Sequence, residues 1–543
     1  MVTVATRVSE IGPHHRVVQR ISVSTNEQGR MLWRTNAYTQ LETGMHAQQP
    51  DGSWAEASDE VELTPRGAAA TRTQHKVTFP ADISAGVIEI LTPGGQLLRY
   101  RPLGVAYFSP ETDQNVFVGL LKSSVGVLSE RNRVTYPDCM EGDIQADLVC
   151  TVTKAGFESD LVIRAQPLAW PADYGLPKSG KVRLQLLTEF FDSPTPVKES
   201  RLLNAVEGLT DETLTFGDMT MIRGKGFPVA EPESEHAVPI AKKWIEVKQR
   251  RFLLEEVSVC RVIEQLSELP KRTAALRPQR EDPILRRVSK ELLLPKTEFA
   301  RQTTNTIRMA SLPQSSRGFV MDWPITLTSG ANKTLQGDTT YFCSGTVLFS
   351  GVTTIEGGTC VKFAGGTTPR IQILGTVNCR TDPYRPAIFT AKDDDTIGEW
   401  IDGSSGVPTG KYGNGLTLST SGSALRYMRF CYANSAVRFD LSMGQIDLAH
   451  LQFVQCLYGV DFNSSHENTV NVDNSLFYSI TNVTKSGYDN ILRGRHLTID
   501  HCLKLFAIGA GNHNGEVYLT NSILADVIDR GKADVYAGSN NGF

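Results

Sequence analysis

Short runs rich in β-branched residues return along the last two-fifths of the chain at a spacing of a little over twenty residues. They lie at Ala424–Phe430, Ile446–Phe453, Val470–Phe477, His496–Leu503 and Val517–Leu524. Aligned on one apolar position, they place Leu425, Leu448, Val472, Ile499 and Leu519 in register, with steps of 23, 24, 27 and 20 residues. A period of this size is typical of a solenoid, because one unit cannot bury its apolar face without a neighbour. Polar and apolar residues alternate within each run, so the repeat predicts a right-handed parallel β-helix over residues 319–543.

The first half of the chain has the pattern of strands without a repeat. Turn sequences such as Gln49–Ser53 and Thr92–Gln96 carry Asp-Gly and Gly-Gly pairs, which supply the positive φ of hairpin turns. We therefore predict a β-sandwich-like domain over residues 1–170 and a second β-rich module over residues 171–257. Val262–Leu269 and Asp282–Leu294 have helical spacing and predict a partly helical, basic linker over residues 258–318. The predicted fold class is mainly β.

Composition excludes some classes of function. The 59 acidic and 55 basic residues give a net charge of −4, which argues against a nucleic-acid partner. No run of eighteen apolar residues occurs, so we expect no membrane span. The N-terminus lacks the apolar core of a signal peptide. Since long solenoids of this composition are mostly exported, we expect an extracellular or cell-surface protein whose signal peptide is not part of this sequence.

Acidic residues cluster in one segment between two predicted strands. Asp393, Asp394, Asp395 and Glu399 lie within seven residues. Clustered carboxylates suit Ca²⁺, which takes several oxygen ligands. The spacing matches neither the EF-hand loop nor the glycine-rich nonapeptide repeat that binds Ca²⁺. The default interpretation is a solvated acidic turn, and the alternative hypothesis is a Ca²⁺ site; no other cofactor is expected.

A row of polar and aromatic residues follows the aligned apolar position by two residues. It contains Tyr427, His450, Asn474, His501 and Asn521. Polar residues at one position of successive coils can hydrogen-bond along the axis, so we predict a structural ladder. A catalytic role for His450 or His501 is the alternative.

The predicted β-helix resembles that of the pectate-lyase-like and polygalacturonase-like enzymes, which implies a polysaccharide-degrading activity. Gly398–Gly403 (GEWIDG) resembles the WIDH element of pectate lyases, but Gly403 stands where the histidine belongs. The Gly-His-Gly motif of the hydrolases is absent. Glycoside hydrolysis needs two carboxylates on either side of the scissile bond. Asp473 and Asp500, each one residue after an aligned apolar position, are the candidate catalytic pair.

The segment Arg133–Arg164 alternates as a four-stranded meander. It resembles the N-terminal β regions that precede YD/RHS repeats in large exported bacterial proteins, which implies the delivery portion of an RHS-type toxin. Because the chain stops just after a strand, we expect a C-terminal continuation or another chain to cover the last coil.

The missing catalytic motifs favour a non-catalytic structural or adhesive exported bacterial protein, whose β-helix is a rigid scaffold or binding surface. A polysaccharide or another protein at the cell surface is the expected partner. A polysaccharide lyase or glycoside hydrolase is the first alternative, and the RHS-type delivery portion is the second.

Overall fold

The chain forms two compact units. The computed structural model describes residues 2–178, 180–204, 208–230, 237–272, 282–301, 306–310, 317–420, 422, 424–440, 444–462, 468–486, 490–508, 515–531 and 535–542. One unit contains Met1–Glu56 and Thr328–Phe543, and the other contains Ala57–Leu327. Both are built from strands, so the predicted mainly β fold class is confirmed. The four consecutive domains predicted from sequence stay a prediction, because compactness does not measure which segments fold independently.

The unit that contains the termini begins with five strands. They are β1 (Val2–Gly12), β2 (His15–Thr25), β3 (Met31–Leu41), β4 (His46–Gln48) and β5 (Trp54–Glu56). β2 pairs antiparallel with β1 on one side and with β3 on the other, which makes a three-stranded meander. Two bulges, at Thr3/Ala5 and Val8/Glu10, interrupt the outer strand β1. Bulges of this kind discourage an edge strand from pairing with another chain.

The unit of residues Ala57–Leu327 contains two mostly antiparallel sheets that share one strand. Its strands are β6 (Glu62–Thr64), β7 (Gly67–Ala70), β8 (Lys76–Pro80), β9 (Ile88–Leu91), β10 (Leu97–Ser109), β11 (Gln114–Leu121), β12 (Val127–Glu130), β13 (Arg133–Tyr136), β14 (Met140–Gly142), β15 (Ala146–Thr153), β16 (Gly156–Ile163), β17 (Arg183–Phe191), β18 (Val197–Asn204), β19 (Leu209–Phe216), β20 (Met219–Met221), β21 (Gly224–Pro228), β22 (Val238–Val247), β23 (Arg250–Ser258), β24 (Arg308–Met309) and β25 (Phe319–Leu327). The first part of β22 pairs with β21 and the rest pairs with β23, which belongs to the other sheet. Tyr100, Phe157 and Trp323 pack together in the shared core.

Only one of the two predicted helical stretches is helical. Helix α1 (Val259–Ser267) buries Val262 and Leu266, and it is the single α-helix among the described residues. Asp282–Leu294 is instead an irregular strap over the outer face of the sheet that contains β11, with bridges from Leu285 to Phe117 and from Ser289 to Asn115. The apolar spacing that predicted a helix there comes from residues packed against that face.

The strap cannot continue as a helix at Arg286, whose φ of 63° lies in the left-handed region. The guanidinium of Arg286 donates to both oxygens of Asp143, at 2.8 and 2.5 Å. This ion pair, of which the Asp143 side is buried, holds the strap in its extended path.

The remaining strands form a parallel β-solenoid of about seven turns between residues 334 and 529. They are β26 (Thr334–Leu335), β27 (Thr340–Cys343), β28 (Thr346–Phe349), β29 (Val352–Glu356), β30 (Cys360–Phe363), β31 (Gly366–Ile373), β32 (Thr376–Arg380), β33 (Ala387–Ala391), β34 (Tyr412–Leu418), β35 (Ala424–Cys431), β36 (Ala433–Phe439), β37 (Gln445–Val454), β38 (Tyr458–Phe462), β39 (Thr469–Asp473), β40 (Leu476–Tyr478), β41 (Asn482–Ser486), β42 (Ile491–Arg495), β43 (Thr498–Ile508), β44 (Glu516–Thr520), β45 (Ile523–Gly531) and β46 (Val535–Ser539). Each strand pairs in parallel with its counterpart one coil away, as β35 does with β37. The predicted parallel β-helix is therefore confirmed as a parallel solenoid; its right hand stays a prediction.

The strand register corrects the predicted alignment at one coil. Leu425, Leu448 and Val472 do stack, but the next residue in that row is Gly494, followed by Leu519. Ile499 lies in a different row, between Phe477 and Leu524. A glycine gives no apolar signal, so the sequence alignment was displaced by five residues, past Leu497, to Ile499. Leu497 and Leu519 occupy the space beside Gly494, where a Cβ would lie 2.5 and 2.7 Å from their side chains.

A second inner row is aromatic. Phe389, Phe430, Phe453 and Phe477 stack ring on ring, with centroids 4.9, 5.7 and 4.6 Å apart along the row. All four are buried. Stacked pairs of this kind add to the free energy gained by burying the rings.

The meander covers the N-terminal end of the solenoid. Tyr38–Leu41 of β3 pairs in parallel with Thr340–Cys343 of β27, so β3 takes the place of a preceding coil. Ile401, from the segment after β33, packs with Val18 and Tyr38 of the meander. The first coil therefore has a partner for its strand edge, which an uncapped solenoid would leave open.

Candidate binding surface of the solenoid

Every regular coil turns twice through a single residue in the left-handed conformation. The first corner is formed by Tyr427, His450, Asn474, His496 and Asn521, and the second corner by Tyr432, Gln455, Ser479, His501 and Asp526. The φ angles of these ten residues lie between 43° and 59°. At both corners the backbone N–H donates to a carbonyl of the next coil, as from Asn474 to Arg495 at 2.9 Å. The corners thus join coils through backbone and leave the side chains in rows.

The first corner contains four of the five residues predicted as a ladder. The rings of Tyr427 and His450 are parallel to within 5° with centroids 4.5 Å apart, and Asn474 Nδ2 donates to His450 Nδ1 at 2.8 Å. The predicted position of His501 in this row is wrong. His501 lies at the second corner, and His496 occupies its place at the first corner. The cause is the same five-residue displacement that moved Ile499.

Two outward rows of the strands that precede the first corner carry charge. In one row, Asn471 Nδ2 donates to Asp447 Oδ1 at 2.7 Å, and the Arg493 guanidinium lies 4.9 Å from the ring centre of Tyr518. In the other row, Arg495 donates to both oxygens of Asp473 at 3.2 and 2.5 Å. Each of these contacts joins neighbouring coils, so the face is a network of pairs with no large excess of one charge.

The structure does not bring the candidate catalytic carboxylates together. Asp473 lies in register with Ala449 and Arg495, whereas Asp500 lies in register with Tyr478 and Ala525. The ion pair with Arg495 lowers the pKa of Asp473. A general acid in glycoside hydrolysis needs a raised pKa, so Asp473 is poorly suited to that role. Asp500 accepts a hydrogen bond from His501 Nδ1 at 2.7 Å.

The acidic segment predicted as a Ca²⁺ site is arranged around a lysine. Lys362 Nζ is buried and donates to the Asp394 carbonyl at 2.8 Å. Burial lowers the pKa of this amine, and the nearby Cys360, Asp395, Asp394 and Glu399 oppose that change. The ammonium of Lys362 therefore supplies the positive charge that the segment faces.

The four carboxylates of that segment have separate partners. Asp393 accepts from Tyr412 at 2.5 Å, Asp395 from Ser404 at 2.8 Å and Asp394 from Thr390 at 2.6 Å, while Glu399 accepts from Asn36. In the part of the chain that the structure describes, no three His, Cys, Asp or Glu side chains are placed to hold a metal ion. The arrangement thus favours a structural loop over a Ca²⁺ site.

Sequence reasoning missed His496, the arginines Arg493 and Arg495, and the second corner as a row. A signal was present. The inner row through Gly494, both corners and the phenylalanine row, continued by Ile499 and Leu524, all advance by 23, 24, 22 and 25 residues. The sequence alignment through Ile499 has steps of 27 and 20 residues. It would have been rejected if the inner row, both corners and the phenylalanine row had been required to share one set of steps.

The fold and these rows define a class of protein: a parallel β-solenoid, capped at its N-terminal end, with polar and aromatic side chains ordered along the coils. The chain matches no family model, no curated protein and no solved structure. No helix among the described residues is long and apolar enough to cross a membrane.

Proposed function

We propose that this protein is a non-catalytic scaffold or adhesin, extracellular or at the cell surface, whose solenoid binds an extended partner along its coils. The observation that carries the proposal is the repetition of one corner position as a row of polar and aromatic side chains, Tyr427 to Asn521. Neighbouring strands in a sheet are about 4.8 Å apart. A polymer that runs along the axis would therefore meet a polar or aromatic contact at each coil.

The chemistry of the surface supports binding over catalysis. Asp447, Asp473 and Asp500 each accept a hydrogen bond from a neighbouring side chain. The hydrogen bond from Arg495 lowers the pKa of Asp473, which stabilises the charged form of that carboxylate. The side chains that remain to meet a partner are the corner residues and Arg493, which offer donors, acceptors and ring faces. A polysaccharide is the polymer that this mixture suits best, and an extended protein segment is the second partner class.

Neither alternative function gains support. Hydrolysis or elimination requires groups that converge on one bond, and Asp473 and Asp500 lie in different rows. The RHS-type delivery portion rests on the resemblance of Arg133–Arg164 alone, and those residues form strands β13, β14, β15 and β16 of the other unit.

Binding to a panel of polysaccharides, measured by calorimetry on the whole chain, tests the proposal. We expect one class of polysaccharide to bind, and we expect the variants Tyr427→Asn and His450→Asn to weaken binding. Asparagine tolerates the left-handed conformation, so these changes remove the rings and keep the corner. The matched control is Gln455→Asn at the second corner, which should bind as the unchanged protein does.

Equal binding by the first-corner variants and the control would show that the first corner is not the surface used. The same panel is to be assayed for new reducing ends and unsaturated products. Release of either product, lost in Asp473→Asn or Asp500→Asn, would replace the binding proposal with the enzyme alternative.

A further inference from the structure

Five residues after β3 join the meander to the first coil, and we name residues 42–46 the clasp. Towards the β1–β2 turn, Glu42 N donates to the His14 carbonyl at 3.0 Å and His46 N donates to the Pro13 carbonyl at 3.2 Å. Towards the first coil, Thr43 N donates to the Thr346 carbonyl at 2.9 Å, and Thr43 Oγ1 accepts from Leu348 N at 3.0 Å. The clasp is thus bonded on both sides.

One contact of the clasp requires a neutral histidine. Gly44 N donates to His14 Nδ1 at 2.9 Å. A backbone N–H is only a donor, so Nδ1 of His14 must offer a lone pair. Protonation of the imidazole puts a hydrogen on Nδ1, which removes this hydrogen bond and sets two donors against each other. His46 differs, because its Nδ1 faces the Gly12 carbonyl at 2.7 Å and must donate, which both protonation states allow.

The charges around His14 also oppose its protonation. Burial lowers the pKa of His14 to about 4, and Lys333, from the segment before β26, and His15, from β2, act in the same direction. The acid closest in sequence, Glu10, is paired with His15 at 3.0 Å. A proton on His14 would therefore add a second positive charge beside Lys333 in a half-buried place.

We propose that the clasp is an acid-sensitive latch, which neutral His14 keeps closed over the first coil and which a proton on that imidazole opens. Opening frees the pairing of β3 with β27 and the contacts of Thr43 with β28. The strand edges of the first coil then become available to another strand. The proposal concerns how the solenoid end is exposed, and it does not depend on what the corner rows bind.

The sign of the pH dependence follows from the direction of the shift. With a folded-state pKa of about 4 against an ordinary value of 6.5, the open state takes up the proton first. The clasp is therefore at full strength above 6.5 and loses stability as the pH falls from there towards 4.

Hydrogen exchange of the full chain, corrected for the intrinsic rate at each pH, tests the latch. We expect amides of residues 38–46 and 340–348 to lose protection by roughly tenfold or more between about pH 7 and pH 4. Amides of 470–477, in the middle of the solenoid, are the internal reference and should keep theirs. In His14→Asn, the asparagine Oδ1 can accept from Gly44 N and does not titrate, so the loss should shrink to the part contributed by His46, whose pKa burial also lowers. The matched control His15→Asn should retain it.

The same pH dependence in His14→Asn as in the unchanged protein would overturn the proposal, and so would constant protection of the clasp in the unchanged protein. A second measurement covers the case in which His14→Asn fails to fold. Nitrogen chemical shifts of His14 in the unchanged protein should show Nε2–H at neutral pH and a pKa well below 6.5. Nδ1–H, or an ordinary pKa, would overturn the latch.

Discussion

The two units of this protein bury different kinds of residue. The solenoid fills its centre with rows of like side chains, such as Phe430, Phe453 and Phe477, each of which contacts the same residue one coil away. The unit of residues Ala57–Leu327 places ionisable side chains in its interior, among them Lys242 and Glu255, both with no exposed surface. A repeating core needs only one residue type at each position, whereas a core without a repeat can hold specific charged contacts.

The buried charges of the Ala57–Leu327 unit are unequally satisfied. Lys242 Nζ donates to Asp211 at 2.8 Å, and Glu256 accepts from Arg183 at 2.7 Å and from Lys243 at 2.8 Å. Both carboxyl oxygens of Glu255 are buried without a hydrogen-bond partner among the described residues. Burial and the nearby Asp322 raise the pKa of Glu255. Burial in this unit therefore opposes the charged form of the Glu255 carboxyl.

The largest expected effect is on the phenylalanine row. Phe453→Ala removes a fully buried ring that stacks on both sides, and we expect it to lower the free energy of unfolding by about 4 kcal/mol. Calorimetry measures the loss, and hydrogen exchange should place it in the coils on either side. Phe453→Leu is the control, and it should cost less than half as much. An equal loss of protection in residues 97–109 would contradict the view that the two cores are separate.

The next effect is on the buried ion pair of the other unit. Lys242→Met leaves the Asp211 carboxylate in the core without its cation, which we expect to cost about 3 kcal/mol. The double variant Lys242→Met, Asp211→Leu removes both charges and should recover most of the loss. If the double variant is as unstable as the single one, the loss of stability comes from packing. The view that this core depends on specific charged contacts would then be contradicted. Denaturant unfolding at neutral pH measures both variants.

A smaller effect depends on pH. Burial and Glu158 raise the pKa of Asp322 to about 7, against the hydrogen bond from Lys225 N, and Asp160 lies opposite on β16. A carboxyl with a raised folded-state pKa loses stability as the pH rises from its ordinary pKa to its folded-state pKa. For Asp322 this range runs from 3.8 to about 7. Asp322→Asn should therefore be more stable than the unchanged protein above pH 7, and this gain should vanish near pH 4.

The quantity to measure is the difference in free energy of unfolding between the variant and the unchanged protein. The buried His75 of the same unit has a lowered pKa, so its contribution to stability changes with pH in the opposite sense, and the difference removes it. Denaturant unfolding across this pH range gives it. A difference that does not vary with pH would mean that Asp322 is charged in the folded state.

The smallest effect concerns the corners. Ser479 has a φ of 56°, which costs a serine about 1 kcal/mol and a glycine nothing. Ser479→Gly should therefore raise the stability of the solenoid by up to about 1 kcal/mol. Ser475→Gly is the matched control, since Ser475 Oγ accepts from Leu451 N at 3.1 Å and donates to the Asp473 carbonyl at 2.8 Å, and it should be destabilising. Thermal unfolding measures both variants. Melting temperatures that shift in the same direction for Ser479→Gly and Ser475→Gly would contradict this account.

The sequence predicted the solenoid because a repeat exposes the same inner position many times. It did not place the fourth coil, where Gly494 occupies an apolar position and carries no signal of its own. It did not indicate that Tyr38–Leu41 pairs with Thr340–Cys343, since neither segment records which distant edge it will join. The strap at Asp282–Leu294 was predicted as a helix, because apolar spacing does not reveal a sheet face from another part of the chain.

The candidate surface was predicted in part. The row of Tyr427, His450, Asn474 and Asn521 follows from the repeat, because each of these residues stands two positions after an aligned apolar residue. The left-handed corners do not, because tyrosine and histidine rarely adopt that conformation, and only the contacts between coils hold them there. The sequence did not indicate that Arg495 pairs with Asp473 or that Lys362 contacts the acidic segment, because in each case the partner comes from another coil.

The two corners are five residues apart in all five coils. All differences in length between one coil and the next therefore fall in the stretch that leads from a second corner to the following inner-row residue. Insertions on that side would leave the rows and their spacing untouched, while a single residue added between the corners would shift one row against the other. The solenoid thus has one side where new loops can be acquired and one where the chain length is constrained.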